Sequence, residues 1–258
     1  MLFYALSDIH GYYSELQTAL KKIDLSFQDN KLMILGDLID VGPDSKLVME
    51  LIMELEKKYS DQIITLLGNH DEWFISWING KIQSGNYTSY STGIGASTIN
   101  SFISTEEKTT IVNSIISDLS IPDEEYLHRI DLKLKDIIIE RHSDLINWLL
   151  QKDADSRYFE TPKQIFVHAG IDEDLGKDWK KYSNPNIFTN KFPASLGSFH
   201  KDIISGHIHS NIVANDDSYL GKVYYDGDCH YYIDGNVSES KTIPILVYDT
   251  NSKSYYTI

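Results

Sequence analysis

Short apolar runs recur along the chain, and five of them end in a polar segment that carries chemistry. Their length and their Leu, Ile and Val content are typical of buried strands. The runs are Leu2–Leu6, Lys31–Leu35, Gln62–Leu67, Gln164–Val167 and Lys201–Ile204, and the segments after them are SDIHG, GDLID, GNHD, VHAG and GHIH. Because ligand sites form at the carboxyl ends of neighbouring strands in α/β proteins, we expect these segments to meet at one rim of a sheet.

Between the first three runs, apolar residues recur at helical spacing. The pattern predicts helices over Tyr12–Ile23 and Asp44–Tyr59, the second behind a start signal at Pro43. Strands that alternate with helices are typical of parallel βαβ units, so this part of the chain indicates an α/β fold.

From residue 73 to about residue 157 the pattern is helical. Helical segments are predicted at 97–104, 106–119, 122–130 and 143–151, after a polar stretch at 84–95 whose Tyr87 and Tyr90 could line a pocket. Because VHAG and GHIH then resume the strand pattern, we interpret 73–157 as a helical insertion or cap within a single domain of residues 1–258.

The last third of the chain begins with little periodicity. Residues 172–196, which include Pro185 and Pro193, are predicted to form a loop. Strands are predicted at 222–225, 231–233 and 243–248, with Asp226-Gly227 and Asp234-Gly235 as turn signals.

Composition narrows the class of protein. A net charge of −15 over 258 residues disfavours an extended nucleic-acid surface, although a compact phosphate ester remains possible where divalent cations reverse the local field. No apolar stretch approaches the ~20 residues of a membrane span, no basic leader precedes the first strand, and Cys229 is the only cysteine. We expect a cytoplasmic enzyme without a membrane partner, and its oligomeric state is left open.

The segments offer seven side chains of the types that bind metal ions: Asp8, His10, Asp37, Asn69, His168, His207 and His209. The carboxylate of Asp37 has two oxygens and can bridge two cations. This mixture of oxygen and imidazole suits two divalent transition metals, Mn²⁺ first and Fe or Zn²⁺ as alternatives, better than Ca²⁺. Two such ions roughly 3.5–4 Å apart can hold a hydroxide and a phosphoryl group in line.

With these motifs the chain resembles the calcineurin-like metallophosphoesterases. Within them it is similar to the bacterial and phage branch of the phosphoprotein phosphatase family, which also contains the symmetrical diadenosine tetraphosphatases. The resemblance runs over residues 5–248 and implies an α/β fold with the four-layer α/β/β/α metallophosphoesterase sandwich.

The resemblance also implies roles for single residues. At the position of His70 the family has the acid that protonates the leaving oxygen, and at the position of Asp40 the carboxylate that orients it. The broader superfamily places the second histidine of GHIH, His209, on the first metal. The other implied ligands are Asp8 and His10 for the first metal, Asp37 for the bridge, and Asn69, His168 and His207 for the second metal.

Two phosphate-binding arginines of the protein phosphatases are replaced here. Val41 follows GDLID, where the diadenosine tetraphosphatases also keep an arginine, and Leu67 precedes GNHD. Of the three arginines in the chain, we hypothesise that Arg129 or Arg141 reaches over the metals to clamp phosphate. Arg157, where the chain re-enters the sheet, is a weaker candidate.

The leading interpretation is a metal-dependent phosphoesterase that hydrolyses phosphomonoesters, as a serine/threonine phosphoprotein phosphatase does. One alternative is a dinucleoside polyphosphate or other nucleotide phosphohydrolase or phosphodiesterase, with a base-stacking pocket in the insertion. The other is a non-catalytic binding protein on the same fold. His230, which follows a turn near the expected site, is a further candidate for contacting substrate.

Overall fold

The computed structural model describes residues 1–81, 90–118, 120–122 and 125–258. These residues form ten strands: β1 (Leu2–Leu6), β2 (Lys31–Ile34), β3 (Ile63–Thr65), β4 (Tyr158–Glu160), β5 (Gln164–Val167), β6 (Asp202–Ser205), β7 (Tyr224–Tyr225), β8 (His230–Tyr232), β9 (Leu246–Asp249) and β10 (Ser254–Thr257). Tyr87 and the first half of the polar stretch at 84–95 lie outside the described residues.

The described residues also form eleven α-helices: α1 (Tyr13–Leu20), α2 (Ser45–Lys58), α3 (Asn69–Ile78), α4 (Ala96–Phe102), α5 (Thr105–Ile116), α6 (Tyr126–Arg141), α7 (Ser143–Lys152), α8 (Trp179–Tyr182), α9 (Ile187–Asn190), α10 (Ser210–Ala214) and α11 (Val237–Ser240). Short 3₁₀ helices lie at Glu173–Asp178 and Asp217–Tyr219. Within this part of the chain, no helix is both long and apolar enough to cross a membrane.

The strands form two sheets of five. The first has the order β10-β9-β1-β2-β3, and the second has the order β4-β5-β6-β8-β7. β1, β2 and β3 run parallel, as do β5, β6 and β8, and the remaining neighbours are antiparallel. Each sheet therefore has a parallel part whose strands end together, and the predicted segments follow those ends.

The two sheets pack face to face through alternate side chains. Phe3 of β1 shares a buried cluster with Phe166 and Ile204 of the second sheet. The neighbouring Tyr4 belongs to the helix-covered cluster on the first sheet, and Val167 belongs to a cluster on the outer face of the second. This two-residue alternation gives layers of helix, sheet, sheet and helix, and the predicted four-layer sandwich is confirmed.

The helices of the predicted insertion share the core of the first sheet. α4 and α7 pack onto α2, and α6 packs onto α7. Ile99, Leu134 and Leu149 of the insertion lie in the same buried cluster as Val48 and Ile52 of α2. The insertion thus extends the outer helical layer of the first sheet.

Some elements differ from the sequence prediction. The helix predicted to end at residue 130 continues to Arg141, because buried Leu134 and Ile138 prolong its apolar stripe. The predicted loop at 172–196 contains short helices, anchored by Trp179 and Phe188 in the outer cluster of the second sheet. The edge strands β4 and β10 were missed because their residues are mostly half-buried or exposed and carry little hydrophobic signal.

Replacing Leu134 tests whether the insertion and the sheets unfold together. Leu134→Ala should lower the free energy of unfolding by about 2–5 kcal/mol, because it opens a cavity in a fully buried position. Urea unfolding followed by circular dichroism and fluorescence should still show one transition. The control Ile116→Ala removes an exposed side chain of α5 and should stay within about 0.5 kcal/mol. Two separate transitions would contradict a shared core.

Candidate metal centre

Hydrogen bonds between neighbouring loops bring the predicted segments to one rim. The backbone N–H of Asp8 donates to the carbonyl of Gly36 at 3.1 Å, and that of His10 donates to the carbonyl of Asp37 at 2.9 Å. Between the sheets, the backbone N–H of His207 donates to both carboxylate oxygens of Asp8 at 3.1 Å each. The rim is therefore built from both sheets.

The backbone at the rim is unusual. Four candidate ligands adopt left-handed conformations, with φ of 53° at Asp8, 48° at His10, 50° at Asp37 and 68° at His207. Such conformations are costly for residues other than glycine and concentrate at functional sites. The hydrogen-bonded loops hold these strained residues so that their side chains turn toward one another.

Two glycines allow the acids to approach the neighbouring loops. A Cβ on Gly68 would lie 2.1 Å from Oδ1 of Asp37, and a Cβ on Gly206 would lie 1.9 Å from Oδ2 of Asp8. Both distances are far shorter than a van der Waals contact. The glycines of GNHD and GHIH are therefore steric requirements of the rim.

Asp37 is shared by two groups of side chains that could hold metal ions. One group is Asp37 with His10 and His70, and the other is Asp37 with His168 and His207, the ligand atoms in each lying within 4.8 Å of one another. Oδ2 of Asp37 lies 3.6 Å from Nε2 of His10 and 3.5 Å from Nε2 of His168. The structure thus brings Asp37 between two histidine-containing groups.

The histidine hydrogen bonds fit metal binding. Nδ1 of His168 donates to the carbonyl of Leu35 at 2.8 Å, and Nδ1 of His10 donates to the carbonyl of Ile39 at 2.9 Å. A neutral imidazole held in this way presents the lone pair of Nε2, which is the usual arrangement of a metal ligand. Nε2 of His168 faces the amide oxygen of Asn69 at 3.0 Å, so two acceptors meet where a cation would satisfy both.

Buried negative charge also favours cations here. Five buried carboxylates lie in or beside the rim, and among the described residues none forms an ion pair with lysine or arginine: Asp8, Asp37, Asp40, Asp71 and Asp234. Burial, and then the charges of Asp234 and Asp37, raise the pKa of Asp8 well above its usual range. Burial, and then neighbouring His168, lower the pKa of His207 to about 4, so this imidazole is neutral at pH 7.

His70 and Asp40 form the predicted pair. Nδ1 of His70 donates to Oδ2 of Asp40 at 2.9 Å. Burial lowers the pKa of His70, but the hydrogen bond to Asp40 and the charge of Asp37 outweigh it, so the net shift is upward. The ring of Trp73 packs against that of His70 with centroids 4.5 Å apart. His70 is thus oriented through one nitrogen and held in a setting that favours protonation.

His209 and Asp234 lie at the edge of the site. Nε2 of His209, whose side chain is 43% exposed, lies 3.8 Å from Oδ2 of Asp234. Asp234 is separated from β8 by Ile233 alone, at the carboxyl end of a strand parallel to β6. From the sequence, Asp234-Gly235 is predicted only as a turn, although the position of Asp234 after a predicted strand repeats the pattern of the five segments.

The three candidate substrate contacts are engaged elsewhere. Arg129 pairs with Glu125 and Arg141 pairs with Glu107, and their side chains are 54% and 50% exposed. Both pairs lie in the insertion, and in the described residues neither arginine contacts a member of the two metal groups. The clamp that we hypothesised is therefore not formed by either arginine in this structure.

His230 lies away from the rim because it begins β8, whose opposite end carries Asp234. It is buried, and both ring nitrogens are hydrogen bonded, Nδ1 to Asp226 at 2.7 Å and Nε2 to Glu173 at 3.0 Å. No ring nitrogen of His230 is left for a substrate in this structure.

Comparison with known proteins assigns the family. The sequence matches the calcineurin-like phosphoesterase family over residues 1–211. The chain belongs to this family. Within it, the chain is 42% identical over 71 residues to the symmetrical bis(5'-nucleosyl)-tetraphosphatase of Nitrosococcus oceani, an alignment that covers 28% of this chain and 24% of that protein. The match thus spans about a quarter of the curated relative.

Solved structures with a similar fold align over nearly the whole chain. A cold-active protein tyrosine phosphatase aligns with a TM-score of 0.58 and 14% identity, over 99% of this chain and 78% of the other. A protein serine/threonine phosphatase of Saccharomyces cerevisiae aligns with a TM-score of 0.57 and 10% identity, over 100% and 79%. At these identities the likeness establishes the fold shared with the family.

Asp71 ties two rim segments together. Its Oδ1 accepts from the backbone N–H of Leu38 at 3.0 Å, and its Oδ2 accepts from that of Gly68 at 2.9 Å, which also caps α3. Burial, and then the charge of Asp37, raise the pKa of Asp71 to about 8. Each of the two backbone N–H groups has its own carboxylate oxygen of Asp71 as acceptor.

Asp71→Asn should lower the free energy of unfolding by about 1–3 kcal/mol, because the new amide group would point a donor at a buried backbone donor. Urea unfolding measures the change. The control Asp174→Asn alters an exposed acid and should have little effect. Equal stability of Asp71→Asn and the parent would show that the Leu38 and Gly68 contacts do not need a carboxylate.

Proposed function

We propose that this chain is a metal-dependent phosphoric ester hydrolase with a dinuclear centre. The observation that supports it most is the shared position of Asp37, whose carboxylate lies within reach of both histidine groups. Asp8 and Asn69 complete the oxygen ligands. Transition-metal ions at these positions would attract phosphoryl oxygens and lower the pKa of water, which is the chemistry that phosphate-ester hydrolysis needs.

The residues of the chain have separate parts in this proposal. Asp37 is held by the backbone N–H of His70, which donates to its Oδ1 at 3.0 Å. Asp40 holds Nδ1 of His70, so Nε2 is the nitrogen that can give a proton to the departing oxygen, and in this proposal His70 is the acid and not a metal ligand. The raised pKa of His70 favours the protonated form before the transfer.

For the substrate, we propose a phosphorylated nucleotide of the dinucleoside polyphosphate class rather than a phosphoprotein. The curated relatives that match about 30% of the chain are named symmetrical bis(5'-nucleosyl)-tetraphosphatases. Arginine clamping is not supported, because Arg129 and Arg141 are paired with glutamates. Half-buried Trp73 beside His70 offers an aromatic surface on which a nucleobase can stack.

A substrate panel on the Mn²⁺-loaded protein tests this proposal. Diadenosine tetraphosphate should be hydrolysed with a kcat/KM at least tenfold above that for a phosphoserine peptide or p-nitrophenyl phosphate. Chromatography of the products identifies the bond that is cleaved. Trp73→Leu should raise KM for the dinucleotide and leave that for p-nitrophenyl phosphate unchanged.

Other outcomes separate the rival functions. A preference for the phosphopeptide would establish a protein phosphatase instead. Binding of diadenosine tetraphosphate without turnover of any ester would establish a binding protein. Asp37→Ala serves as the inactive reference, since it removes the carboxylate that both groups share.

The shared carboxylate also predicts metal stoichiometry. The parent should bind about two Mn²⁺ per chain, Asp37→Ala should bind neither tightly, and His168→Ala should keep the ion of the other group. Elemental analysis after gel filtration, with calorimetry for affinity, measures this. His200→Ala removes an exposed histidine and is the control. Two ions retained by Asp37→Ala would refute a bridging role.

A further inference from the structure

The buried carboxylate of Asp40 accepts hydrogen bonds from two hydroxyl groups of residues that follow α3 in the sequence. The hydroxyl of Tyr90 donates to Oδ1 of Asp40 at 2.7 Å, and the hydroxyl of Thr98 on α4 donates to the same oxygen at 2.6 Å. The other oxygen, Oδ2, accepts from His70. Three donors thus divide between the two oxygens of one carboxylate that is fully buried.

This division fixes the orientation of the carboxylate. Two hydroxyl groups donate to Oδ1 and His70 donates to Oδ2, so rotation about the Cβ–Cγ bond would break three charge-assisted hydrogen bonds. Such hydrogen bonds are stronger than those between neutral groups. Oδ2 is therefore kept for Nδ1 of His70, which sets the tautomer of the ring and directs Nε2 away from Asp40. The hydroxyl groups act on His70 only through Asp40.

Thr98 also holds the backbone of Asp40. The backbone N–H of Asp40 donates to Oγ1 of Thr98 at 3.0 Å and to Oγ of Ser45 at 3.2 Å. Asp40 needs such support because its φ is +69°. One threonine of the insertion therefore contacts both the main chain and the side chain of the orienting acid.

Tyr90 is placed for this contact by its own packing. Its ring is buried between Phe74 and Trp77 of α3, with centroid distances of 5.9 Å and 5.6 Å. A Cβ on Gly95 would lie 2.0 Å from the ring, so the chain leaves space for it. Burial, and then the charge of Asp40, raise the pKa of Tyr90 well above its usual value, and the phenol remains a donor.

We propose that Tyr90 and Thr98 are positioning residues for the proton donor, so that the helical insertion completes the His70–Asp40 pair. This inference rests on the proposed function, in which His70 protonates the leaving oxygen. It assigns the insertion a part in the chemistry itself. The hydroxyls, which lie 50 and 58 residues from Asp40 in sequence, hold the acid in the geometry that proton transfer requires.

The test uses Tyr90→Phe and Thr98→Val, which remove a hydroxyl with little change in shape. Each variant is assayed on nitrophenyl and methyl esters of the substrate class that the parent hydrolyses. A positioned general acid contributes about 10²–10⁴-fold, and only a poor leaving group needs it in full. We expect kcat for the methyl ester to fall about tenfold or more, with the nitrophenyl ester within about threefold and KM unchanged.

Three comparisons separate positioning from general loss of structure. Thr98→Ser keeps the hydroxyl and should restore kcat to within about twofold of the parent. Tyr255→Phe removes a similar hydroxyl that donates to Asp202 at 2.6 Å, at the opposite end of β6, and should not change the ratio of the two esters. In the background of His70→Asn, Tyr90→Phe should have no further effect, because the two act through one group.

A measurement independent of activity completes the test. In ¹⁵N-histidine NMR of the parent, the Nδ1–H of His70 should give the signal of a strong hydrogen bond, and Tyr90→Phe and Thr98→Val should shift it. Equal losses for both esters, or parent-like rates in both variants, would overturn the proposal, as would an unshifted His70 signal.

Failure of the proposed function gives a different result. If the parent hydrolyses no ester, or if His70→Asn does not discriminate between the two leaving groups, His70 is not the acid. The NMR shift in Tyr90→Phe then still decides whether the insertion positions His70. The two hypotheses can therefore fail separately.

Discussion

The structure depends on a concentration of buried negative charge at one rim of the sandwich. Five buried carboxylates approach one another there, and among the described residues neither lysine nor arginine is paired with any of them. Burying unpaired charge is costly, so these acids require protons, hydrogen-bond donors or metal ions. Different groups stabilise different acids. Backbone N–H groups donate to Asp71, hydroxyl groups donate to Asp40, and histidines surround Asp37.

Much of the fold and site could be predicted from sequence because one local pattern repeats. An apolar strand followed by a ligand-type residue located Asp8, Asp37 and His168, and the glycines around them could be recognised within the motifs. Asp234 was missed because its Asp-Gly pair also indicates a turn. The edge strands β4 and β10 were missed because exposed strands carry no hydrophobic alternation.

Contacts over long sequence separations could not be predicted in this way. Thr98 lies on a polar stretch of a short helix, and only the packing of α4 against α2 brings it to Asp40. The arginines show the same limit, since the glutamate partners of Arg129 and Arg141 could not be located from sequence. In each case the decisive information was the placement of the insertion.

The rim joins two sheets that share no strand pairing in the described part of the chain. Leu35 leaves the first sheet and accepts a hydrogen bond from His168 of the second, while Asp8 accepts from the backbone of His207. Because the candidate ligands come from both sheets, metal binding would stabilise the packing of one sheet on the other, since anything that binds only the folded state stabilises it. The free energy of unfolding and the fraction of active protein would then both increase with the concentration of the same metal ion.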